Sequence, residues 1–311
     1  MSRQSLLRGN IDPVLTNVAI SYKFPENAGF SLFPAISHGR SDGKIAVFGK
    51  ESFKLVNSNR AMGANTKRVS YAVEYVAVSL DRKSLASGVD RDEYSEAADP
   101  VAKKLLLQKS RVNMLMGQIG IEIENMQATL AQNPTKYDVE HKLQLDGTTN
   151  KKISDPDSDP IAYFDEAKEA IRSTIGQYPN TCLLSADVWA KLKRHPKMLA
   201  QVPVSKVQTL TAETLQEIIE IPNIVIAKSV YSPNGKVFKD IWSKTIILAY
   251  VPENPESTEE PAFGYSPRKP DYPFVESWYE DDSTSDIVRV EDYIGVHMAC
   301  PEAGYLIYDA I

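Results

Sequence analysis

A chain of 311 residues with 42% hydrophobic content can bury a substantial core, which excludes a disordered chain and allows one elaborated domain or two. Its longest apolar runs, such as Thr245 to Val251, fall far short of the roughly 20 residues of a membrane span. A net charge of −6 without a Lys/Arg-rich tail argues against gripping nucleic acid, because phosphate contacts supply most non-specific affinity.

The charge is unevenly spread. Residues 1–70 carry ten Lys/Arg against four Asp/Glu, whereas residues 253–311 carry three against fourteen. The two ends attract, either within one chain or between copies, with a basic arm laid on an acidic surface of a neighbour. The charged start from Met1 to Arg8 leads into no apolar stretch, so secretion is not expected and folding is assigned to the cytoplasm. Cys182 and Cys300 lie far apart, outside any CxxC or Cys/His pattern, and are expected as buried free thiols.

Residues 1–38 scatter apolar side chains, among them Val14, Leu15, Val18, Ile20, Phe24, Phe30, Leu32 and Phe33, with no period of 2 or 3.6. The pattern predicts an extended arm, and one so apolar must dock on something. From Lys44 to Leu80 the alternation becomes strand-like around a polar, basic stretch, Asn57 to Arg68, which predicts a long β-hairpin. Two strands alone are marginal in water, so this hairpin should lean on another surface.

The clearest helix starts at Asp99-Pro100, a capping carboxylate followed by a proline set for the first helical position. Its apolar stripe runs from Val101 through Leu115, Ile119 and Ile123 to Leu130, and Asn133-Pro134 stops it. Such a rod is roughly 50 Å long at 1.5 Å per residue. Gly117 and Gly120 suggest close packing rather than a heptad seam.

Residues 137–153 read as a strand pair around Asp146-Gly147. Asp155 to Asp159 imitates the start of a calcium loop, with Glu166 at its twelfth position. Pro160, however, stands where that loop needs glycine. Asp159-Pro160 instead predicts a second helix, through Phe164, Ala167 and Ile171. After Asn180 the pattern is α/β: a strand at 181–184, a helix capped by Ser185, a helix over 211–220, and strands at 223–227 and 242–251. Irregular chain follows over 252–273, then strands at 287–293 and 305–308.

No phosphate loop, nucleophile elbow, zinc motif or dinucleotide fingerprint occurs, so neither a catalytic residue nor a cofactor is assigned. His38, His141, His195 and His297 have no partner at metal-ligand spacing, and His195 reads as a helix-end group. Ser41-Asp42-Gly43-Lys44 reads as a turn. Glu280, Asp281 and Asp282, with Asp286, read as a solvated acidic loop rather than a cation site.

The order of the pieces resembles the major capsid protein of tailed bacteriophages, the Hong Kong 97-type fold of the α+β class. The likeness is carried by Leu15 to Tyr22 with Leu32-Phe33-Pro34, and by Asp99-Pro100 and Ser158 to Ile161. Leu184 to Trp189 with Arg194 to Lys197, and Ala303 to Ala310, complete it. The resemblance implies an N-terminal arm at 1–38 and an extended loop hairpin at 39–82. It further implies a peripheral domain at 83–160 and 284–298, with a spine helix over about 99–132, and an axial domain at 161–283 and 299–311.

On this likeness the chain builds hexamers and pentamers of an icosahedral shell that encloses double-stranded DNA without binding it specifically. A separate scaffolding protein, a portal and a decoration protein are the further partners, and no membrane is involved. The contact candidates between subunits are Val14, Leu15, Phe24, Phe30 and Phe33 in the arm. Lys50, Lys54, Asn57, Asn59, Arg60, Lys67 and Arg68 belong to the loop, and Glu280, Asp281 and Asp282 to the acidic surface. Some relatives form a Lys–Asn isopeptide link, for which this sequence has no marker. The competing readings are an encapsulin-like nanocompartment shell and an α/β enzyme with an accessory N-terminal half.

Overall fold

The computed structural model describes residues 11–22, 27–47, 55, 57–60, 62, 65, 66, 68, 74–202, 210–255 and 260–311. In chain order, helix α1 (Pro13–Ser21) leads to β1 (Ala35–Ser37), β2 (Asp42–Val47), β3 (Glu74–Ser79) and β4 (Asp81–Asp90). Short α2 (Asp92–Ser95) and long α3 (Pro100–Ala131) follow, then β5 (Lys142–Gln144) and α4 (Pro160–Ile175). Next come β6 (Thr181–Ser185), α5 (Ala186–Leu192), α6 (Pro196–Gln201), α7 (Ala212–Ile219) and β7 (Asn223–Ala227). The chain continues through β8 (Val230–Tyr231), β9 (Lys239–Asp240), β10 (Ile246–Ala249) and β11 (Gly264–Arg268). It closes with β12 (Phe274–Glu280), β13 (Ser285–Ile294), β14 (His297–Met298) and β15 (Gly304–Tyr308).

Three Asp-Pro steps open three helices. Asp99 accepts the Ala102 N–H at 3.0 Å to start α3, and Asp159 accepts the Ala162 N–H at 3.4 Å to start α4. Asp12 does the same for α1, accepting from Val14 and Leu15 at 2.9 and 3.0 Å. This corrects the extended reading of the arm at residues 13–21: cap and proline dictate a helix, although only Leu15 and Ala19 of it are fully buried.

That helix packs inside its own subunit. Leu15 and Ala19 meet Val112, Leu115, Met116, Ile119 and Ile123 of α3 and Val275, Val288, Val290 and Ile294 of the sheet beneath, forming one core. The sheet has six strands in the order β1-β11-β13-β12, with β4 also on β13 and β14 on β11. β4 runs antiparallel to the whole of β13, from Asp81↔Ile294 to Asp90↔Ser285. Opposite charges face across these strands: Arg289 meets Glu276, Arg82 meets Glu291, and Arg268 lies 3.0 Å from Asp292. Burial pushes the Asp292 carboxyl above its usual range against the pull of Arg268.

The second core surrounds a five-stranded sheet ordered β5-β15-β10-β6-β7. β6 and β10 are buried throughout, as continuous apolar strands require, and α4, α5 and α7 cover the sheet with Phe164, Ile171, Val188, Leu192, Leu215 and Ile219. The strand pair expected over 137–153 does not form. β5 pairs in parallel with β15 instead, and Asp146 closes its turn by accepting from Thr148, Thr149 and Asn150. The Ser185 hydroxyl does not cap α5 but accepts from the Thr245 N–H at 3.1 Å.

Two sheet memberships also differ from the sequence division. Residues 264–280, expected in the α/β half and irregular to 273, supply β11 and β12 to the sheet of β13, and β5 joins the five-stranded sheet. Strand pairing between distant segments decides both.

Candidate assembly surfaces

The hairpin begins at a fixed root. β2 and β3 pair antiparallel from Asp42↔Ser79 to Val47↔Glu74, and Leu80 N–H donates to Ser41 at 2.8 Å. The His297 ring stands 2.9 Å from the Ser79 carbonyl. Gly295 lies so close that a Cβ there would sit 2.2 Å from that same oxygen. Beyond the root, Leu55, Asn57, Asn59, Arg60, Met62 and Arg68 are all exposed. Phe24, Lys50, Lys54 and Lys67 lie outside the described residues.

Within the arm, Val14 is exposed, Phe30 is half-buried, and Leu15 and Phe33 are fully buried in their own subunit. Phe33 packs on Phe263 with the rings tilted by 43° and their centroids 5.2 Å apart. In this conformation those two side chains serve the subunit's own cores and offer no surface to a neighbour.

Glu280 ends β12, and Asp281 and Asp282 begin the turn to β13; all three are exposed. Arg91 N–H donates to the Thr284 carbonyl at 3.2 Å, which sets the turn beside Asp90 and Asp92; Glu93 next to them is paired with Arg111 at 3.2 Å, and the carboxylates of this acidic corner still outnumber Arg91 and Arg111. Asp286 faces away from it, 2.6 Å from Lys104 Nζ, and accepts from the Tyr94 hydroxyl at 2.8 Å, a bond that raises the Tyr94 pKa.

Sequence reasoning missed the exposed apolar groups. Val101 and Leu106, 79% and 64% exposed, lie on the first turns of α3, and Met114 and Ile121 open into a cleft of about 480 Å³ with Tyr22, Gly117 and Val230. A stripe of leucines reads the same whether a sheet lies beneath it or not.

The titratable groups inside the subunit hold structure. His195 and Ser158 are buried, with Nε2 3.0 Å from Oγ, so this Ser–His pair staples the α4 lead-in to the start of α6 and is closed to a substrate. Burial raises the Cys182 thiol, and burial followed by Glu302 pushes Cys300 up to about 12, so neither is a ready nucleophile. Among the described residues no group of three His, Cys, Asp or Glu could hold a metal ion. None of their helices is long and apolar enough to cross a membrane.

The described residues thus form two large sheets and two short hairpins around a long helix, with charged and apolar groups exposed and the Ser–His pair closed. The chain is 36% identical to the major capsid protein of Burkholderia phage BcepMu, over 99% of this chain and 98% of the relative. A phage-related protein from Bordetella bronchiseptica RB50 superposes with a TM-score of 0.81 at 33% identity, covering 97% of this chain and 98% of that one. A virus-like particle protein from Pyrococcus furiosus shares the fold alone, with a TM-score of 0.56 at 12% identity over 94% and 95%. The fold is that of the Hong Kong 97-type capsid proteins. Residues 105–260 match the model of phage major capsid protein E, and the chain belongs to that family. It is a structural protein of the phage capsid, where copies of it form the shell.

Proposed function

We propose that this chain closes with copies of itself, as hexamers and pentamers, into an icosahedral head around packaged double-stranded DNA, and that its work is assembly rather than catalysis. The observation that carries the reading is the end-to-end likeness to the BcepMu major capsid protein. Assembly takes place in the cytoplasm of a bacterial host, with a scaffolding protein, a portal and a decoration protein as further partners.

The division into arm, extended loop, peripheral and axial parts is part of this proposal. Sheet membership supports a peripheral part that takes in 264–298 along with α3, and an axial part that takes in β5. The exposed hairpin tip, with Asn57, Asn59, Arg60 and Arg68, lies on the acidic corner of a neighbour at Glu280, Asp281 and Asp282. Opposite charge supports that pairing. Electron microscopy of the purified chain, alone and with its scaffold, should show rings or closed shells. Monomers under every condition would overturn the reading.

A further inference from the structure

Strand β7 is the outer strand of the five-stranded sheet, and a different feature stands at each of its ends. At its start lies a cleft of about 540 Å³ lined by Pro222, Val225, Val251 and Pro252, by the polar Ser31, Asn180, Thr181 and Asn223, and by exposed Glu253. Its end runs within three residues into the β8–β9 hairpin, whose tip holds Val237 and Phe238, 52% and 70% exposed, between exposed Lys236 and Lys239. Five residues of strand put roughly 16 Å between these ends.

The tip is built. Asn234 Oδ1 accepts from the Lys236 and Val237 N–H groups at 3.0 Å each, and Gly235 takes the left-handed φ of 70° that the turn requires. Its root is tied to α3: Ser229 Oγ donates to Glu124 at 2.8 Å, and Gln132 Nε2 donates to the Ile241 carbonyl at 2.9 Å. An aromatic side chain held out in water on a fixed root is costly for a monomer and useful for a partner.

A ring of identical copies needs two different surfaces, one that projects and one that receives. We propose that the Val237–Phe238 tip of one copy seats in the β7 cleft of the next copy around a capsomer, its apolar groups on Pro222, Val225, Val251 and Pro252 and its lysines toward Glu253. The occupant is a second copy because the chain's family builds its shell from copies, because the cleft offers Pro222, Val225, Val251 and Pro252 to an apolar tip, and because Lys236 and Lys239, against the single Asp240, oppose Glu253 in charge. This contact rests on the shell-building reading and specifies it.

The test places Val237→Cys and Glu253→Cys in one chain on a Cys300→Ser background, and assembled particles are mildly oxidised and run on a non-reducing gel. Head-to-tail seating gives a covalent ladder beyond the dimer, up to whole rings, while each single variant gives dimers at most. Particles that form normally yet yield no ladder would overturn the proposal. Independently, Phe238→Asp should leave the subunit's melting within about 2 °C of wild type and cut particle yield at least tenfold. A folded variant that assembles at the wild-type yield would also overturn it. If the wild-type chain forms no particles at all, the shell-building reading fails first and takes this contact with it.

Discussion

Glu124 gathers three distant segments on one carboxylate oxygen: it accepts from the Ala28 N–H at 3.1 Å, the Ser229 hydroxyl at 2.8 Å and the Trp242 indole N–H at 2.9 Å, while 3% exposed. Replacing it with alanine strands the buried Ala28 and Trp242 donors, each orphan costing about 1–3 kcal/mol, while the half-buried Ser229 hydroxyl at the cleft can turn to water. We expect Glu124→Ala to lose roughly 2–5 kcal/mol in urea unfolding of the subunit, and Glu124→Gln, which keeps an acceptor oxygen, to lose less; a loss below about 1 kcal/mol for the alanine variant would refute the junction. Asp146 shows a second local effect. The N–H groups of Thr148 and then Asn150, with the Thr148 hydroxyl, hold its carboxyl down at about 2. A folded pKa below the unfolded one means that the charged turn stabilises above the ordinary carboxylate range, near pH 4, and that this contribution disappears as pH falls toward 2. Carbon-detected titration should therefore find the Asp146 midpoint near 2, and Asp146→Asn should flatten the acid side of the stability curve. A midpoint at the ordinary Asp value would contradict the turn.

At the scale of elements, α1 decides where the arm belongs. Leu15 is fully buried against α3 and the sheet, so Leu15→Ala should cost about 2–5 kcal/mol in the isolated subunit, before any assembly. Unchanged melting combined with failed assembly would move α1 onto a neighbour. The same helix shows why some elements were legible in sequence and others were not. α3 and α4 announce themselves by Asp-Pro starts and long apolar stripes. α1 has the same start but only nine residues, too few for a stripe to stand out from the surrounding apolar scatter. β6, β10 and β15 read clearly because buried strands are continuously apolar, and half-buried β7 because Ile224 to Ala227 form an unbroken apolar run. β4 hides because it is a largely exposed strand of sequence DRKSLASGVD that gains order from β13, and β11 hides behind Pro267. The acidic turn was legible as charge. The Phe238 tip and the exposed start of α3 were not, since exposure depends on which segment arrives from elsewhere to cover a side chain.

Across the whole molecule the two proposed contacts draw on different physics, and salt separates them. The hairpin tip meets the acidic corner through charges exposed to solvent, screened over about 8 Å at physiological ionic strength and about 3 Å at 1 M. The Phe238 tip works mainly by removing apolar surface from water, which added salt does not weaken, with only the Lys236 and Lys239 attraction to Glu253 open to screening. Arg60→Glu with Arg68→Glu should therefore slow assembly by about tenfold at low salt, where long-range attraction speeds encounter, and lose that disadvantage as wild type slows toward it near 1 M. Asp281→Lys with Asp282→Lys, combined with those reversals, should restore part of the low-salt rate, because the opposite signs face each other again. Phe238→Asp should remain defective throughout the same salt series. Light-scattering time courses across that series measure all three. A charge-reversal defect that ignores salt would remove the acidic corner from the interface, whereas a Phe238→Asp defect that vanishes in high salt would mean that charge, the introduced carboxylate against Glu253 included, governs the tip contact rather than apolar burial.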